Sequence, residues 1–358
     1  MNARPRGRWT PIAPRDVDAW NGRLRQTSAS LFQYPYWNEP LRALRFTPRY
    51  FLYAAGGEPD AYVCVLTLGV PGARVGLVQR GPVPLGTDPL PDGALAALAS
   101  WARRRGYAFL RFTHSRADVL DRVASMRGGR RVDAFPFYRE PGEELLVSLD
   151  ASHDDVFARF QPIARREIRK AEAEPYRVEK TTTGEALAAA WPLFERLAER
   201  KGFNYRPLGS YRELMRRAAP YGGARLYTAS LGDRLVEAIL LVRDGRTAHY
   251  VSGALDVEAL GDHNSPSAML HWIAMRDLAA ESVCSYNLGS RSGPVYQFKR
   301  KFRPVEMSCP PAVTLVTNRV AYAAWDALAL RFLRLHWRAI KKVAARVLAG
   351  RRVSVGTA

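Results

Sequence analysis

Cysteine is scarce in this chain of 358 residues. Three occur, Cys64, Cys284 and Cys309, an odd number with no C-x-x-C pair. That pattern argues against a disulfide framework and a cysteine-built zinc site, and it fits a reducing compartment; no metal is expected. No run of 18 apolar residues occurs, so no membrane-spanning helix is expected. The first fourteen residues are basic and carry Pro5, Gly7, Pro11 and Pro14 but no apolar stretch, so they read as a disordered basic lead and not as a signal peptide. No Gly-x-Ser-x-Gly elbow, Cys-His signature or Walker-type phosphate loop is present, which leaves nucleophilic catalysis and ATP use without support. Acidic residues are few: 34 Asp plus Glu stand against 54 Lys plus Arg, a net charge of +20. Such a balance favours anionic partners, whether nucleic acid, phosphate-bearing metabolites or an anionic membrane surface. A free use of arginine for solubility is the alternative reading.

What the chain does have is a repeat. Arg49-Tyr-Phe-Leu-Tyr-Ala54, a Gly56-Gly57 turn, an apolar strand from Ala61 to Leu68, a longer loop, a helix with Leu98 and Trp101, and Phe109-Leu-Arg-Phe112 follow one another. Arg225-Leu-Tyr-Thr-Ala229, a Gly232-Asp233 turn, a strand from Leu235 to Val242, a hairpin through Asp244-Gly245 to His249-Tyr-Val251, a helix with Leu270 and Trp272, and Tyr286-Asn-Leu288 repeat that order. The spacing is too long for a solenoid and predicts a duplicated α/β (α+β) domain, with a cleft for substrate between the copies. The expected division is a lead at 1–14, a first domain at 15–150, a second at 151–318 and a tail at 319–358.

Two basic helices stand out. From Pro162 to Glu174 the sequence is helical, and at roughly 100° per residue Arg165, Arg166, Arg169 and Lys170 share one arc opposite Phe160, Ala164, Ile168 and Ala171. That arc reads either as an anion-binding face or as a solvated face laced with Glu167, Glu172 and Glu174. The tail carries nine Lys or Arg and one acid, Asp326, with Trp325, Leu328, Phe332, Leu335, Ala339 and Val343 at helical spacing. It reads as a basic amphipathic helix for an anionic membrane surface or RNA, or as a terminal helix docked on the second domain.

Five segments carry a resemblance to a known family: Phe32-Gln33 with Trp37, Arg165-Arg-Glu-Ile-Arg-Lys-Ala171, Ser265-Pro-Ser-Ala-Met-Leu-His-Trp272, Tyr286-Asn-Leu-Gly289 and Phe298-Lys-Arg-Lys-Phe302. In this order they resemble the Fem peptidyltransferases, a duplicated form of the GNAT acyltransferase fold. The resemblance spans about Leu31 to Pro304. It implies tandem GNAT-like domains and an acyltransferase that moves an amino acid from aminoacyl-tRNA to an amine of a peptidoglycan precursor or similar acceptor, in the cytoplasm or at the inner membrane face. It also implies that Lys299 reaches the reaction centre, that Arg166, Arg169 and Lys170 hold phosphates and that Tyr250 contacts substrate. The family's early lysine is replaced at best by Arg42, and its aspartate in the late strand is Asn287.

Ordinary GNAT enzymes bind the coenzyme A pyrophosphate on a glycine-rich loop at a helix N-terminus. Here the second copy reads Leu260-Gly-Asp-His-Asn-Ser-Pro-Ser-Ala268, without the two glycines, and Pro82 and Pro84 remove donors from the first. No cofactor is therefore expected beyond the donor itself, a charged tRNA. The alternative is an acyl-CoA-dependent N-acyltransferase acting on a polysaccharide or small metabolite. Gln297, Lys299 and Lys301 alternate as on a strand face, where Lys299 reads as a donor to the oxyanion or to the tRNA 3′ end, or as an exposed edge-strand lysine. His249 and His263 are candidate bases, each more often structural.

Overall fold

The computed structural model describes residues 7–70, 73–86, 89–131, 142–291 and 295–327. Fifteen strands occur among them: β1 (Arg8–Pro11), β2 (Thr47–Ala54), β3 (Ala61–Val70), β4 (Ala73–Gln79), β5 (Val83–Pro84), β6 (Tyr107–Thr113), β7 (Gly129–Arg131), β8 (Glu143–Ser148), β9 (Tyr176–Thr181), β10 (Ala224–Leu231), β11 (Arg234–Arg243), β12 (Thr247–Leu255), β13 (Ser285–Ser290), β14 (Val305–Ser308) and β15 (Val313–Val316). They build two sheets, in the order β1-β2-β3-β4-β6-β15-β7, with β5 beside β3, and β14-β8-β13-β12-β11-β10-β9.

The repeat read in the sequence is a repeat of topology. In the first sheet β2-β3 and β3-β4 are antiparallel and β4-β6 is parallel across the helix Asp92–Arg104. In the second, β10-β11 and β11-β12 are antiparallel and β12-β13 is parallel across the helix Ser267–Ala279. The stretch expected as a long loop after Leu68 contains β4, which pairs antiparallel with β3. Two strands cross the expected division at residue 150. β8 lies before it yet pairs with β13 in the second sheet, and β15 lies far beyond it yet pairs with β6 in the first.

The inner strands β3, β6, β10 and β11 read as nearly continuous apolar runs because both of their faces are covered. Alternate residues of β3 go to different cores: Tyr62, Cys64 and Leu66 face a core shared by the two halves, and Val63 and Val65 face the helix Asp92–Arg104. In β11, Leu240 and Val242 join the shared core while Ile239 and Leu241 pack under the helices Pro162–Glu172 and Ser267–Ala279. Each large side chain buried this way contributes roughly 1.5–3 kcal/mol. The joint is also hydrogen bonded: Leu31 N–H donates to Asp244 Oδ2 at 3.2 Å, Ser210 Oγ to Pro40 O at 2.9 Å, Arg25 Nη1 to Tyr221 O at 2.7 Å, and Tyr36 OH to Arg243 O.

Helix starts follow the sequence signals. Ser152 caps His153–Arg159 through the Asp155 N–H, and Pro162 opens Pro162–Glu172 at a first-turn position, where its missing N–H costs nothing. Of the tail, residues 319–327 are described. Arg319–Trp325 is a helix that rests on the first sheet, with Trp325 against Phe109 at a ring separation of 5.6 Å. The remainder of the expected tail helix lies outside the described residues. Among them no helix is long and apolar enough to cross a membrane.

Candidate active site

The two copies differ where their parallel strands meet. β4 and β6 stay paired from Arg74–Tyr107 to Gln79–Thr113. β12 and β13 pair only over Thr247–Ser285, Ala248–Tyr286 and His249–Asn287. Beyond that point the β11-β12 register slips, with Leu241 opposite Tyr250 and Leu240 opposite Ser252, so Val251 is an extra residue in a bulge. A bulge bends its strand and increases its twist. β12 and β13 therefore part after His249 and Asn287, and a cavity of about 850 Å³ opens there against Leu31, Phe32 and Trp37 of the first half. A second cavity of about 520 Å³ shares His249, Asn287 and Glu144 with it.

Lys299 lies beside this opening. The segment expected as a strand face is instead a helical turn, Tyr296–Lys299, running into the 3-10 turn Arg300–Phe302. The i,i+4 pair Phe298 and Phe302 sets that geometry by packing on His271 with ring separations of 5.5 and 5.8 Å. Lys299 is buried, and its Nζ donates to Ser290 O at 3.0 Å, next to Gly289, which holds the left-handed φ of 79°. Burial lowers the lysine pKa. His271 accepts or donates one bond with Tyr286 OH at 2.8 Å and is held neutral, its pKa lowered to about 3 by burial and then by the Lys299 charge. The Tyr250 ring stands against His271 at 4.7 Å, and burial followed by the nearby Glu237 keeps its phenol protonated.

The cavity wall is polar and of mixed sign. Arg206 stacks over Trp37 at 4.3 Å and also faces Tyr211. Arg291 pairs with Glu143 at 3.3 Å and Glu306 at 3.1 Å, and Arg80 pairs with Glu144 at 2.8 Å. His249 Nε2 lies 3.1 Å from Asp244 Oδ2. Asn287 Oδ1 accepts the Gly289 N–H at 2.7 Å and so shapes the turn that leaves β13.

Of the residues expected from the sequence, the fold brings Tyr250 and Asn287 into the cavity wall and Lys299 to its edge. Arg42 lines a different cavity of about 620 Å³, paired with Glu39 at 2.8 Å. Arg166, Arg169 and Lys170 lie on the exposed face of Pro162–Glu172, whose inner face buries Ala164, Ile168 and Ala171. Arg169 covers the Phe157 ring at 5.6 Å. Sequence reasoning missed Arg206, Arg291, Glu143 and Glu144. Arg206 precedes Pro207 in a connection between helices and carries no periodic signal.

The loop that leads into the helix Ser267–Ala279, where a pyrophosphate would be received, is already engaged. Glu174 Oε1 accepts from the Asn264 N–H at 3.1 Å and from Asn264 Nδ2 at 2.6 Å, and Oε2 bonds His263 Nδ1 at 2.6 Å. These partners, His263 first, lower the Glu174 pKa to about 2. Ser267 Oγ donates to Glu237 at 2.7 Å.

Residues 158–300 match the family model of the acetyltransferase (GNAT) domain. No curated protein sequence matches the chain. Among solved structures, FemX superposes with a TM-score of 0.75 at 15% identity, over 88% of this chain and 99% of FemX. A tandem GNAT protein from the clavulanic acid biosynthesis pathway gives 0.53 at 15% identity, over 87% of this chain and 98% of that one. The C-terminal domain of a putative lysylphosphatidylglycerol synthetase from Agrobacterium fabrum gives 0.53 at 14% identity, over 87% and 96%. The chain thus has the tandem GNAT fold that FemX shares, and its second copy matches the acetyltransferase (GNAT) domain.

Proposed function

We propose that this acyltransferase forms an amide bond by moving an aminoacyl group from a charged tRNA to an amine of a peptidoglycan precursor or a similar acceptor, in the cytoplasm or at the inner membrane face. The observation that carries the donor assignment is the Glu174 carboxylate, which takes the Asn264 backbone and side-chain donors in the loop leading into the helix Ser267–Ala279, where a GNAT enzyme would receive a pyrophosphate. A second anion brought to that loop meets a fixed negative charge. The net charge of +20 suits a polyanionic donor. Two structural relatives, FemX and a putative lysylphosphatidylglycerol synthetase, point toward aminoacyl chemistry.

In this reading the acceptor occupies the 850 Å³ cavity, where Arg206 and Arg291 offer planar donors to phosphate or carboxylate and Tyr250 and Asn287 offer neutral polar contacts. Lys299, fixed by Ser290 O, directs positive charge to the carbonyl oxygen as it becomes an oxyanion. Its desolvation strengthens that interaction. Arg166, Arg169 and Lys170, together with Arg42, are then outer contacts for the phosphates of donor or acceptor.

The test is a donor comparison. The protein is incubated with an amine-bearing precursor extract and either a charged tRNA pool or an acyl-CoA panel, and new amides are followed by mass spectrometry. Product abolished by RNase establishes the tRNA donor. Product formed with acyl-CoA alone overturns it and makes the chain an acyl-CoA-dependent N-acyltransferase.

A further inference from the structure

The GNAT fold brings the acyl carbonyl and the amine together, but an amide forms only if the amine sheds a proton. We infer that His249, oriented by Asp244, is the catalytic base that removes it. The inference rests on the acyl-transfer reading above and holds for either donor.

Asp244 begins the β11-β12 hairpin and is buried. Its Oδ1 accepts the N–H groups of Arg246 at 3.0 Å and Thr247 at 2.8 Å, and its Oδ2 accepts the Leu31 N–H at 3.2 Å from the first half. Its own N–H donates to Thr247 O at 3.0 Å. Three backbone donors fix this carboxylate in place. Among the described residues, its remaining hydrogen-bond partner is His249 Nε2 at 3.1 Å. A carboxylate acting as acceptor dictates the tautomer: Nε2 carries the hydrogen and Nδ1 holds the lone pair. The ring that carries this lone pair is 15% exposed and lines both cavities at the last β12-β13 pair, where the strands part. A buried aspartate that both orients an imidazole and compensates its cation is the arrangement that makes histidine an effective base.

The step balances without a further reactant. The amine nitrogen attacks the acyl carbonyl carbon, the C–N bond forms, and the carbonyl electron pair moves to oxygen beside Lys299. The N–H proton passes to His249 Nδ1, and Asp244 stabilises the imidazolium. Collapse breaks the ester C–O bond, or the thioester C–S bond, and the proton returns from His249 to the leaving oxygen or sulfur. Amine and ester become amide and alcohol.

The experiment has two readouts on the full chain. In turnover assays with whichever donor supports product, His249→Ala is expected to lower kcat about 10²- to 10⁴-fold with little change in KM, and added imidazole to restore part of it in proportion to its concentration. Independently, ¹⁵N shifts of the imidazole in wild type are expected to show the Nε2–H tautomer, and Asp244→Asn to lose that preference while thermal melting confirms that it folds. A kcat for His249→Ala within threefold of wild type, a loss confined to KM, or an Nδ1–H tautomer in wild type overturns the assignment. If neither donor yields product, the proposed reaction fails, and the tautomer alone decides whether Asp244 holds His249 as a base.

Discussion

Replacing Glu237 with glutamine should change how stability depends on pH. Glu237 lies on β11 and is 5% exposed, and Ser267 Oγ is its hydrogen-bond partner, at 2.7 and 2.9 Å from the two carboxylate oxygens. One hydroxyl hydrogen cannot offset the loss of water around a full charge, so burial pushes the carboxyl from 4.5 up to about 8. The folded protein thus keeps this proton over a pH range in which the unfolded chain has lost it. Stability from this group is fully present below pH 4.5 and falls as pH rises toward 8, after which it is flat. At about 1.36 kcal/mol per unit, that displacement implies a loss on the order of 4 kcal/mol between pH 5 and pH 9. Glutamine keeps the shape, accepts from Ser267 and cannot ionise. Urea denaturation from pH 5 to 9 should show Glu237→Gln close to wild type at the acid end. At the alkaline end it should be more stable by about 2–4 kcal/mol, with an unchanged slope in urea. Parallel curves, with a difference constant within about 0.5 kcal/mol, would refute the reasoning by showing that the carboxylate is ionised and solvated throughout.

Lys299→Met preserves the packing stem and removes the ammonium. Single-turnover amide formation should slow about 10²- to 10³-fold while the folded fraction is retained, and a rate within threefold of wild type would remove Lys299 from the reaction centre. Gly245→Ala tests the joint that holds Asp244. A Cβ there meets the Arg25 carbonyl oxygen at 2.5 Å, a backbone atom that cannot step aside. Calorimetry should record a loss of about 1–3 kcal/mol, and an unchanged melting temperature would show that the two halves are less tightly fastened than this contact implies.

The sequence determined the duplication on its own. Apolar runs, glycine turns and helix caps are local signals, and each recurs at the same order in both copies. The same locality made the inner face of Pro162–Glu172 legible, since Ala164, Ile168 and Ala171 follow helical spacing and are all buried. The geometry around Lys299 was not legible. Gln297, Lys299 and Lys301 alternate as a strand would, yet Phe298 and Phe302 are one helical turn apart, and packing on His271 decides for the helix.

Tertiary structure alone decided which copy opens and what faces the opening. The cavity exists because one extra residue at Val251 ends the β12-β13 pairing after His249 and Asn287, and such a slip is set by partners distant in sequence. Asp244 reads locally as a turn residue. Only the approach of Leu31 from the other half and of His249 along β12 makes it the anchor of an imidazole. The placement of β8 and β15 in sheets on opposite sides of the expected division has the same origin. Hydrogen bonding along a strand edge rewards any partner that fits, and sequence separation does not reveal which one arrives.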